Sequence, residues 1–376
     1  MAHTERIALP SPTPGTERHL VVHRFGAPGA RPKVWLQAAL HADELPGILV
    51  LRHLTERLAR ADRDGRIAGE IAVVPFANPI GLAQHVGGYL VGRYALDGAG
   101  NFNRAFLELR APLADAVKDR LTGDANDNVA LIRSAAAHLL ERRRALDESE
   151  VLKLTLQRHA IDADIALDLH CDDQAALHLY VVPQQASALH DLAARLGATA
   201  VLTAADSGDV PFDECLSRPW RHLAEAYPDK PIPSDGCLAA TIELRGKTDI
   251  DDSTAARDAG ALFDWLQSRG IIAGTAPPAP AALCEPTPLD GVDVVKAPHG
   301  GLWVPAVAPG HRVAVGDTLG TLISPAHQGS DVALRTRVAG VLFARSSPGL
   351  VRPGDRVAKI AGAEPLPDRT GNLLGD

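Results

Sequence analysis

Two histidines in this 376-residue chain each follow an apolar run and lie close to a carboxylate. His41 and Glu44 come directly after residues 34–40, and His170 ends a second apolar run, two residues after Asp168. Imidazole and carboxylate groups are typical ligands of a catalytic zinc, which takes three protein ligands and keeps one position open. We therefore predict one zinc ion per chain on His41, Glu44 and His170, with Asp168 orienting an imidazole.

A third carboxylate, Glu243, lies in the otherwise apolar segment 238–244. A carboxylate among apolar neighbours is costly unless it is solvated in a cleft, paired or functional. Neighbouring residues of a strand face opposite sides, which makes Arg245 a poor partner. Burial raises the pKa of a carboxyl group towards neutrality, which suits a base that takes a proton from water. We predict that Glu243 is the general base, and an ion pair with another cation is the alternative.

Two arginines between the histidines are candidates for binding a substrate. Arg104 follows a glycine-rich bend at residues 98–100, so its guanidinium leaves a loop rather than a helix face. Arginine binds a carboxylate through two parallel hydrogen bonds. We predict that Arg104 and Arg93 lie near the strand end marked by Asn78-Pro79, where a carboxylate substrate binds. The alternative for each is an ordinary surface arginine.

The elements that must position these residues alternate in type. Residues 34–40 predict a buried strand, Pro46 opens a helix, and residues 70–76 predict the next strand. Strand, helix and strand of these lengths form a βαβ unit, so we expect an α/β fold whose mixed, mostly parallel sheet is flanked by helices. In such sheets the carboxyl ends of the strands form the ligand crevice. Residues 107–160 predict a helical insert, and Ser253 is a candidate cap for a later helix.

The amino-acid composition of the chain changes after residue 275. Residues 1–275 are predicted to form the catalytic domain, residues 276–288 a Pro/Ala linker, and residues 289–376 a small all-β domain. The turn Gly316-Asp317 returns 38 residues later as Gly354-Asp355, which is typical of a barrel-sandwich-like repeat. Biotinyl and lipoyl carriers share this pattern, but residues 324–330 lack the carrier lysine.

Composition excludes several classes of function. A net charge of −8 without a basic block argues against nucleic acid, although a local arginine still allows a small anionic substrate. No apolar stretch approaches the roughly 20 residues of a membrane helix. Four scattered cysteines without a CxxC pair fit a cytoplasmic protein, and Cys171 is expected to be buried and inert. A homo-oligomer is compatible with these features.

Together these residues resemble the succinylglutamate desuccinylase/aspartoacylase family of the zinc carboxypeptidase superfamily. The resemblance spans most of residues 34–360 and rests on five ordered motifs. They are H-x-x-E (His41, Glu44), N-P (Asn78-Pro79), N-R-x-F (Asn103, Arg104, Phe106), D-x-H (Asp168, His170) and T-x-E-x (Glu243).

The resemblance implies a zinc-carboxypeptidase-like fold with zinc on His41, Glu44 and His170. It implies that Glu243 acts first as general base and then as acid. Arg93 would help to polarise the scissile carbonyl, while Asn103 and Arg104 would hold the substrate carboxylate. It also implies that the β-domain covers the active-site cleft. The gap between Arg93 and Asn103 is longer than in the best-known members of the family. The helical insert at residues 107–160 is larger than the one in the smallest members.

Three functions follow in order of preference. The first is a zinc-dependent amidohydrolase that cleaves the amide of a small anionic N-acyl amino acid. The second is a metallocarboxypeptidase acting on short peptides, which a domain crowding the cleft disfavours. The third is a non-catalytic metal-binding protein, which the presence of Glu243 disfavours. The sequence contains neither an HExxH helix nor a GxSxG elbow, the motifs that would indicate another class of hydrolase.

Overall fold

The computed structural model describes residues 3–10, 13–326 and 329–374. Its strands up to residue 288 are β1 (His3–Leu9), β2 (Arg18–Gly26), β3 (Lys33–Ala38), β4 (Glu70–Val74), β5 (His85–Val86), β6 (Tyr89–Leu90), β7 (Tyr94–Ala95), β8 (Gly100–Asn101), β9 (Ile165–Asp172), β10 (Gln174–Ala175), β11 (His178–Val181), β12 (Ala200–Thr203), β13 (Leu238–Gly246) and β14 (Pro286–Pro288).

Nine of these strands form a central sheet in the order β1-β2-β4-β3-β9-β13-β11-β12-β14. The pairs β3–β4, β3–β9, β9–β13, β11–β12 and β12–β14 are parallel. The pairs β1–β2, β2–β4 and β11–β13 are antiparallel. The predicted mixed, mostly parallel sheet is therefore confirmed.

Helices cover both faces of this sheet. They are α1 (Pro46–Arg63), α2 (Arg110–Val117), α3 (Ala125–Arg142), α4 (Glu148–Ala160), α5 (Ala186–Leu196), α6 (Phe212–Ala226) and α7 (Asp252–Ser268). One core contains apolar side chains of α1, α5 and α7, and the other contains those of α2, α3, α4 and α6. Among the described residues, no helix has the length and apolar character needed to cross a bilayer.

The start of α7 differs from the sequence prediction. Asp251 caps this helix, because its carboxylate accepts a hydrogen bond from the Thr254 backbone N–H at 2.7 Å. Ser253 lies inside the first turn and donates its hydroxyl hydrogen to the same carboxylate at 2.8 Å. The prediction of Ser253 as the cap is therefore wrong. A carboxylate two residues earlier already satisfies the free N–H group at the helix start.

The start of α1 is as the sequence predicts, with a proline in its first turn. The next residue, Gly47, lets this turn lie directly on the sheet. A Cβ atom at Gly47 would lie 2.9 Å from the Cβ of Ala38 and 3.1 Å from that of Leu169. Because real Cβ contacts are not this close, a larger residue would push α1 away from β3 and β9. The residues just before α1 are thereby held against the end of β9.

The C-terminal strands are β15 (Val292–Lys296), β16 (Gly301–Pro305), β17 (Arg312–Val313), β18 (Thr318–Ile323), β19 (Val332–Arg335), β20 (Gly340–Arg345), β21 (Gly349–Val351) and β22 (Arg356–Gly362). They form two antiparallel sheets, β10-β20-β22-β15 with β17 on β20, and β19-β18-β16-β21. Trp303 is fully buried between them. The predicted all-β architecture after the central fold is confirmed. His327 and Gln328, in the segment that lacks the carrier lysine, lie outside the described residues.

The β region shares a core and two strand pairs with the central fold. β10 pairs with β20, and β14, which falls within the predicted linker, pairs with β12 as the edge of the central sheet. Leu202 and Phe343 belong to one buried cluster that spans both parts. The boundaries at residues 275 and 288 stay predictions.

Three consecutive side chains, beginning with the last residue of β9, also bind the β region. The Asp172 carboxylate accepts a hydrogen bond from Lys359 Nζ at 2.5 Å. The next residue, Asp173, accepts one from the Ser347 hydroxyl at 2.9 Å. Gln174 then accepts one from Arg345 Nε at 2.9 Å. The strand that carries His170 therefore runs without interruption into the contact with the β region.

Candidate active site

His41 lies in the turn between β3 and α1, three residues beyond the end of β3. The turn contains Ala39 with a φ of 57°, a left-handed conformation that larger side chains rarely adopt. Asn78 holds the same turn, because its Nδ2 donates to the Leu40 carbonyl at 2.8 Å while its Oδ1 accepts from the Gly81 N–H. The N-P motif thus has a positioning role for His41.

Gly92 brings a second loop against this turn. Its carbonyl accepts a hydrogen bond from the Ala42 N–H at 2.9 Å. A Cβ atom at position 92 would lie 2.5 Å from the Cβ of Ala42, so only glycine allows this approach. The next residue, Arg93, is thereby placed beside His41.

His170 and Glu243 lie side by side on adjacent parallel strands. The register of β9 and β13 pairs His170 with Glu243 and Asp168 with Thr241. Because residues that pair in the register of two strands point to the same face, the side chains of His170 and Glu243 project into the same cleft. Asp168 lies two residues before His170 on that face.

The two imidazoles converge on Glu44. His41 Nδ1 lies 2.9 Å from Glu44 Oε1, and His170 Nδ1 lies 2.8 Å from Glu44 Oε2. The donor atoms of the three residues lie within 4.8 Å of one another. All three side chains are at most 3% exposed. The structure therefore brings the three predicted metal ligands together.

The far nitrogen of each imidazole is held by an oxygen acceptor. His41 Nε2 lies 2.8 Å from Asn101 Oδ1, and His170 Nε2 lies 2.9 Å from Asp168 Oδ2. An acceptor at Nε2 favours the tautomer whose Nδ1 lone pair is free to bind a metal. Two nitrogens and a carboxylate in this arrangement suit zinc. Asp168 thus occupies the orienting position predicted for it, and Asn101 does the same for His41.

Opposing effects of burial and neighbouring charges set the pKa values of Glu44, His170 and His41. Burial raises the pKa of Glu44, but the two histidines outweigh it and hold that pKa well below its usual range. Burial lowers the pKa of His170, yet Asp168 and Glu44 outweigh it and raise the value well above normal. For His41, burial dominates and lowers the pKa to about 4. The two histidines therefore favour the ionised form of the Glu44 carboxylate.

Glu243 is the carboxylate that β13 contributes to this cleft. Its Oε2 is buried and accepts no hydrogen bond from the described residues. Burial, followed by the negative charge of Glu44, raises the pKa of Glu243 to about 8. Arg245, the neighbour considered from sequence, instead binds Asp258 on α7 with both guanidinium ends, at 2.7 and 2.8 Å. The geometry leaves Glu243 available for chemistry.

The other predicted residues line the same cleft. Arg93 Nη1 lies 3.0 Å from Glu44 Oε1 and 3.2 Å from His41 Nδ1. Asn103 Nδ2 lies 3.3 Å from His170 Nε2, while its Oδ1 accepts a hydrogen bond from the Phe212 N–H. Arg104 is 8% exposed and donates to the Asn103 carbonyl at 2.7 Å. Cys171 is buried, and burial raises the pKa of its thiol, which disfavours the thiolate form that a nucleophile requires.

These side chains surround a cavity of about 130 Å³. Its walls come from both parts of the chain, since Arg356 and Lys359 of β22 and Leu374 of the C-terminal segment line it with residues of the central fold. The β region therefore forms one wall of the site.

Several residues of the site were not predicted from the sequence. Asn101 was visible as the first residue of Asn101-Phe-Asn, but nothing in the pattern marked it as a partner of His41. Asp213 and Glu214 lie in the first turn of α6, which was not predicted because Pro219 lies inside it. Tyr180 of β11 also lines the cavity. Pro211, with the two acids Asp213 and Glu214 after Phe212, was the available signal for a helix start.

Comparison with known proteins places this geometry in a family context. Residues 30–127 match the model of the succinylglutamate desuccinylase/aspartoacylase catalytic domain. The chain is also similar to N-alpha-acetyl-L-2,4-diaminobutyric acid deacetylase of Halomonas elongata. The two are 26% identical over 340 residues, which cover 89% of this chain and 83% of the relative.

Solved structures of other proteins match the fold of this chain over nearly its full length. A succinylglutamate desuccinylase/aspartoacylase family protein of Shewanella amazonensis has a TM-score of 0.85 and 25% identity, and the match covers 96% of this chain and 98% of that chain. An ectoine utilization protein of Ruegeria pomeroyi, solved with product bound, has a TM-score of 0.69 and 19% identity, with coverage of 96% and 95%. The second likeness concerns the fold alone.

Proposed function

We propose that the chain is a zinc-dependent hydrolase of a small N-acyl amino acid, because it is similar to proteins of the succinylglutamate desuccinylase/aspartoacylase family. One observation carries this proposal. The buried donor group of His41, Glu44 and His170 lies beside the unpartnered Glu243, and Arg104 lines the same cavity. A metal site, a base and a carboxylate-binding group in one cleft are the parts that amide hydrolysis of such a substrate requires.

His41, Glu44 and His170 would hold one zinc ion through two Nδ1 atoms and a carboxylate oxygen. When bound, zinc lowers the pKa of a coordinated water and polarises a carbonyl oxygen. Asn101 and Asp168 contribute by fixing the imidazole rings through their Nε2 atoms. The buried Asp168 Oδ1 and Asn101 Nδ2, which have no hydrogen-bond partner among the described residues, indicate that the group is not fully satisfied by protein contacts.

Glu243 would move the proton. Its carboxylate takes a proton from the attacking water and later gives it to the leaving amine, so it acts as base and then as acid. Burial and the negative charge of Glu44 raise the pKa of Glu243 to about 8, so its carboxyl group titrates near neutral pH. A divalent cation beside it acts in the opposite direction and favours the ionised form that a base needs.

Arg104 and Asn103 would position the substrate. The Arg104 guanidinium is buried in the cavity wall, where water competes weakly for a bound carboxylate. The Asn103 amide nitrogen lies on the same side, next to His170. Arg93, whose guanidinium lies at the edge of the donor group, is our candidate for polarising the scissile carbonyl.

The peptide alternative is less compatible with the walls of the cavity. Arg356, Lys359 and Leu374 close one side of it, and the lysine is tied to Asp172 of the catalytic strand. An extended peptide needs an open groove on both sides of the scissile bond. A small N-acyl amino acid does not.

The direct test is a hydrolysis panel combined with metal analysis. N-acetyl, N-succinyl and N-formyl derivatives of amino acids, including Nα-acetyl-2,4-diaminobutyrate, are incubated with the zinc-loaded enzyme, and released amine is measured. Hydrolysis of at least one derivative with about one zinc per chain is expected. Hydrolysis of peptides but of no acyl amino acid would favour the carboxypeptidase alternative.

We expect the substrate carboxylate to be essential for binding. Methyl esterification of that group should lower kcat/KM about 10²-fold, because a charge-assisted, bidentate pair with Arg104 is lost. Arg104→Lys should lower activity on the free acid to a similar degree, since a lysine cannot reproduce the planar fork.

The matched control is Arg52→Lys, which changes an exposed arginine on α1. It should hydrolyse the free acid as the wild type does. Equal turnover of acid and ester by the wild type would mean that Arg104 does not bind the carboxylate.

A further inference from the structure

The α6 entry loop, residues 207–212, has an unusual backbone conformation. Asp209 has a φ of 54° and Val210 a φ of 46°, both in the left-handed region, where a branched side chain is a clear outlier. Their carbonyls accept hydrogen bonds from the Ala105 N–H at 2.6 Å and from the Phe106 N–H at 3.2 Å. Ala105 itself has a φ of 55°. Such conformations persist only where surrounding contacts impose them, and they concentrate at functional sites.

The α6 entry loop binds the residues on both sides of Arg104. The residue before it, Asn103, accepts a hydrogen bond at Oδ1 from the Phe212 N–H at 2.9 Å. The residue after it, Ala105, donates its N–H to the loop. The guanidinium of Arg104 in turn donates to the Asn103 carbonyl at 2.7 Å. The direction of this arginine therefore depends on the conformation of the α6 entry loop.

The C-terminal segment, residues 366–374, binds the same loop. The Leu373 N–H donates to the Ser207 carbonyl at 2.9 Å. The Asn372 amide donates to the Asp209 carboxylate, so one of the left-handed residues is held through its side chain. The contacts that impose the unusual conformation thus come in part from a distant stretch of the chain.

The C-terminal segment is itself anchored to the β region. Arg356 of β22 donates to the Leu374 carbonyl at 2.7 Å. Leu373 and Leu374 also pack against the buried cluster that contains Leu202 and Phe343. The segment therefore connects the β region to the α6 entry loop, and through that loop to the arginine at the substrate site.

We propose that the C-terminal segment positions Arg104 for substrate binding by holding the α6 entry loop in its left-handed conformation. The proposal rests on the proposed function and adds a positioning element to it. Leu374 lines the cavity, whereas Asn372 and Leu373 do not, so these two residues act on the substrate through the loop. Without their contacts, the loop is expected to relax, and the arginine loses its fixed direction.

Two variants break the contact from its two sides. Gly208→Ala places a Cβ atom 2.9 Å from the Cα of Asn372, which is a backbone atom, so the C-terminal segment must move away. Asn372→Ala/Leu373→Ala removes the amide donor and part of the apolar anchor, but keeps Leu374 in the cavity wall.

Both variants should raise KM for the free acid of an N-acyl amino acid about tenfold, since a hydrogen bond to a charged group and an apolar contact are lost. The value of kcat and the zinc content should stay close to those of the wild type. The preference for the free acid over its methyl ester should fall by the same factor, because the ester does not use the charge of Arg104. A merely structural role would instead lower activity on both compounds equally.

Hydrogen exchange measures the link in the absence of any substrate. In both variants the Ala105 and Phe106 amides, which donate to the loop, should exchange about tenfold faster or more than in the wild type. Mass spectrometry of peptides from the whole zinc-loaded protein follows these amides, and thermal melting verifies the fold.

Each variant has a matched control. Gly316→Ala introduces the same side chain at a φ of 85°, where a Cβ atom has nothing within 4 Å. Asn126→Ala makes the same change as at position 372 on an exposed residue of α3. Both controls should keep the acid preference and the exchange of the wild type.

The outcomes separate the two proposals. Faster exchange together with a smaller acid preference supports the positioning role. Unchanged exchange overturns it, as does faster exchange with an unchanged acid preference, an equal loss on acid and ester, or unfolding of both variants. If the wild type hydrolyses no N-acyl amino acid, the proposed function fails, and faster or unchanged exchange still supports or overturns the hold of the C-terminal segment on the loop.

Discussion

Glu243→Gln is expected to lower kcat for N-acyl amino acid hydrolysis by about 10²–10⁴-fold, with zinc content and thermal stability close to those of the wild type. Glutamine has nearly the same shape as glutamate but cannot accept the proton of the attacking water. Oε2 of Glu243 has no hydrogen-bond partner among the described residues, so the substitution breaks no contact at that atom. Steady-state kinetics with metal analysis on the same preparation measures both effects.

Glu225→Gln provides the control, since it makes the same chemical change at an exposed position of α6. It should leave kcat unchanged. A Glu243→Gln enzyme whose kcat stays within tenfold of wild type would assign Glu243 a structural role, and the base would have to be sought elsewhere in the cavity.

His41→Ala and His170→Ala are each expected to abolish stoichiometric zinc binding and, with it, activity. Each substitution removes one of three protein ligands, and two ligands do not hold zinc at the affinity of a catalytic site. His170→Ala should also destabilise the fold more than His41→Ala, because it leaves the buried carboxylate of Asp168 without the imidazole it contacts. Inductively coupled plasma mass spectrometry and thermal melting measure these results.

His190→Ala, on the exposed side of α5, is the matched histidine control and should bind zinc as the wild type does. Full zinc content in the His41→Ala/His170→Ala double variant would contradict the assigned ligands.

The sequence marks candidate site residues most clearly where function and fold use the same residues. His41 and His170 were recognisable because each follows an apolar run, and strand ends of a mostly parallel sheet converge. Glu243 was recognisable because a carboxylate in an apolar strand demands an explanation. The structure brings all three together with Glu44.

Residues that act through tertiary contact were not predictable in the same way. Asn101 binds His41 across 60 positions of sequence, and a short polar loop gives no sign of that pairing. Asp213 depends on a helix whose interior proline breaks the usual pattern. Lys359 reaches the site from a strand that sequence assigned only to the β region. The sequence pattern therefore does not predict which residues form the walls of the cavity.

The uninterrupted run from His170 to Gln174 has a consequence for how proteins of this architecture can diverge. A recombination event that replaced the β region would remove the partners of Asp172, Asp173 and Gln174 at once. Lys359 outweighs the effect of burial and lowers the pKa of Asp172 to about 2, so its loss would place an uncompensated charge two residues from His170. We therefore expect exchange of whole segments to be disfavoured. New substrate preferences are expected to arise instead by single substitutions in the cavity walls, with both parts of the chain inherited together.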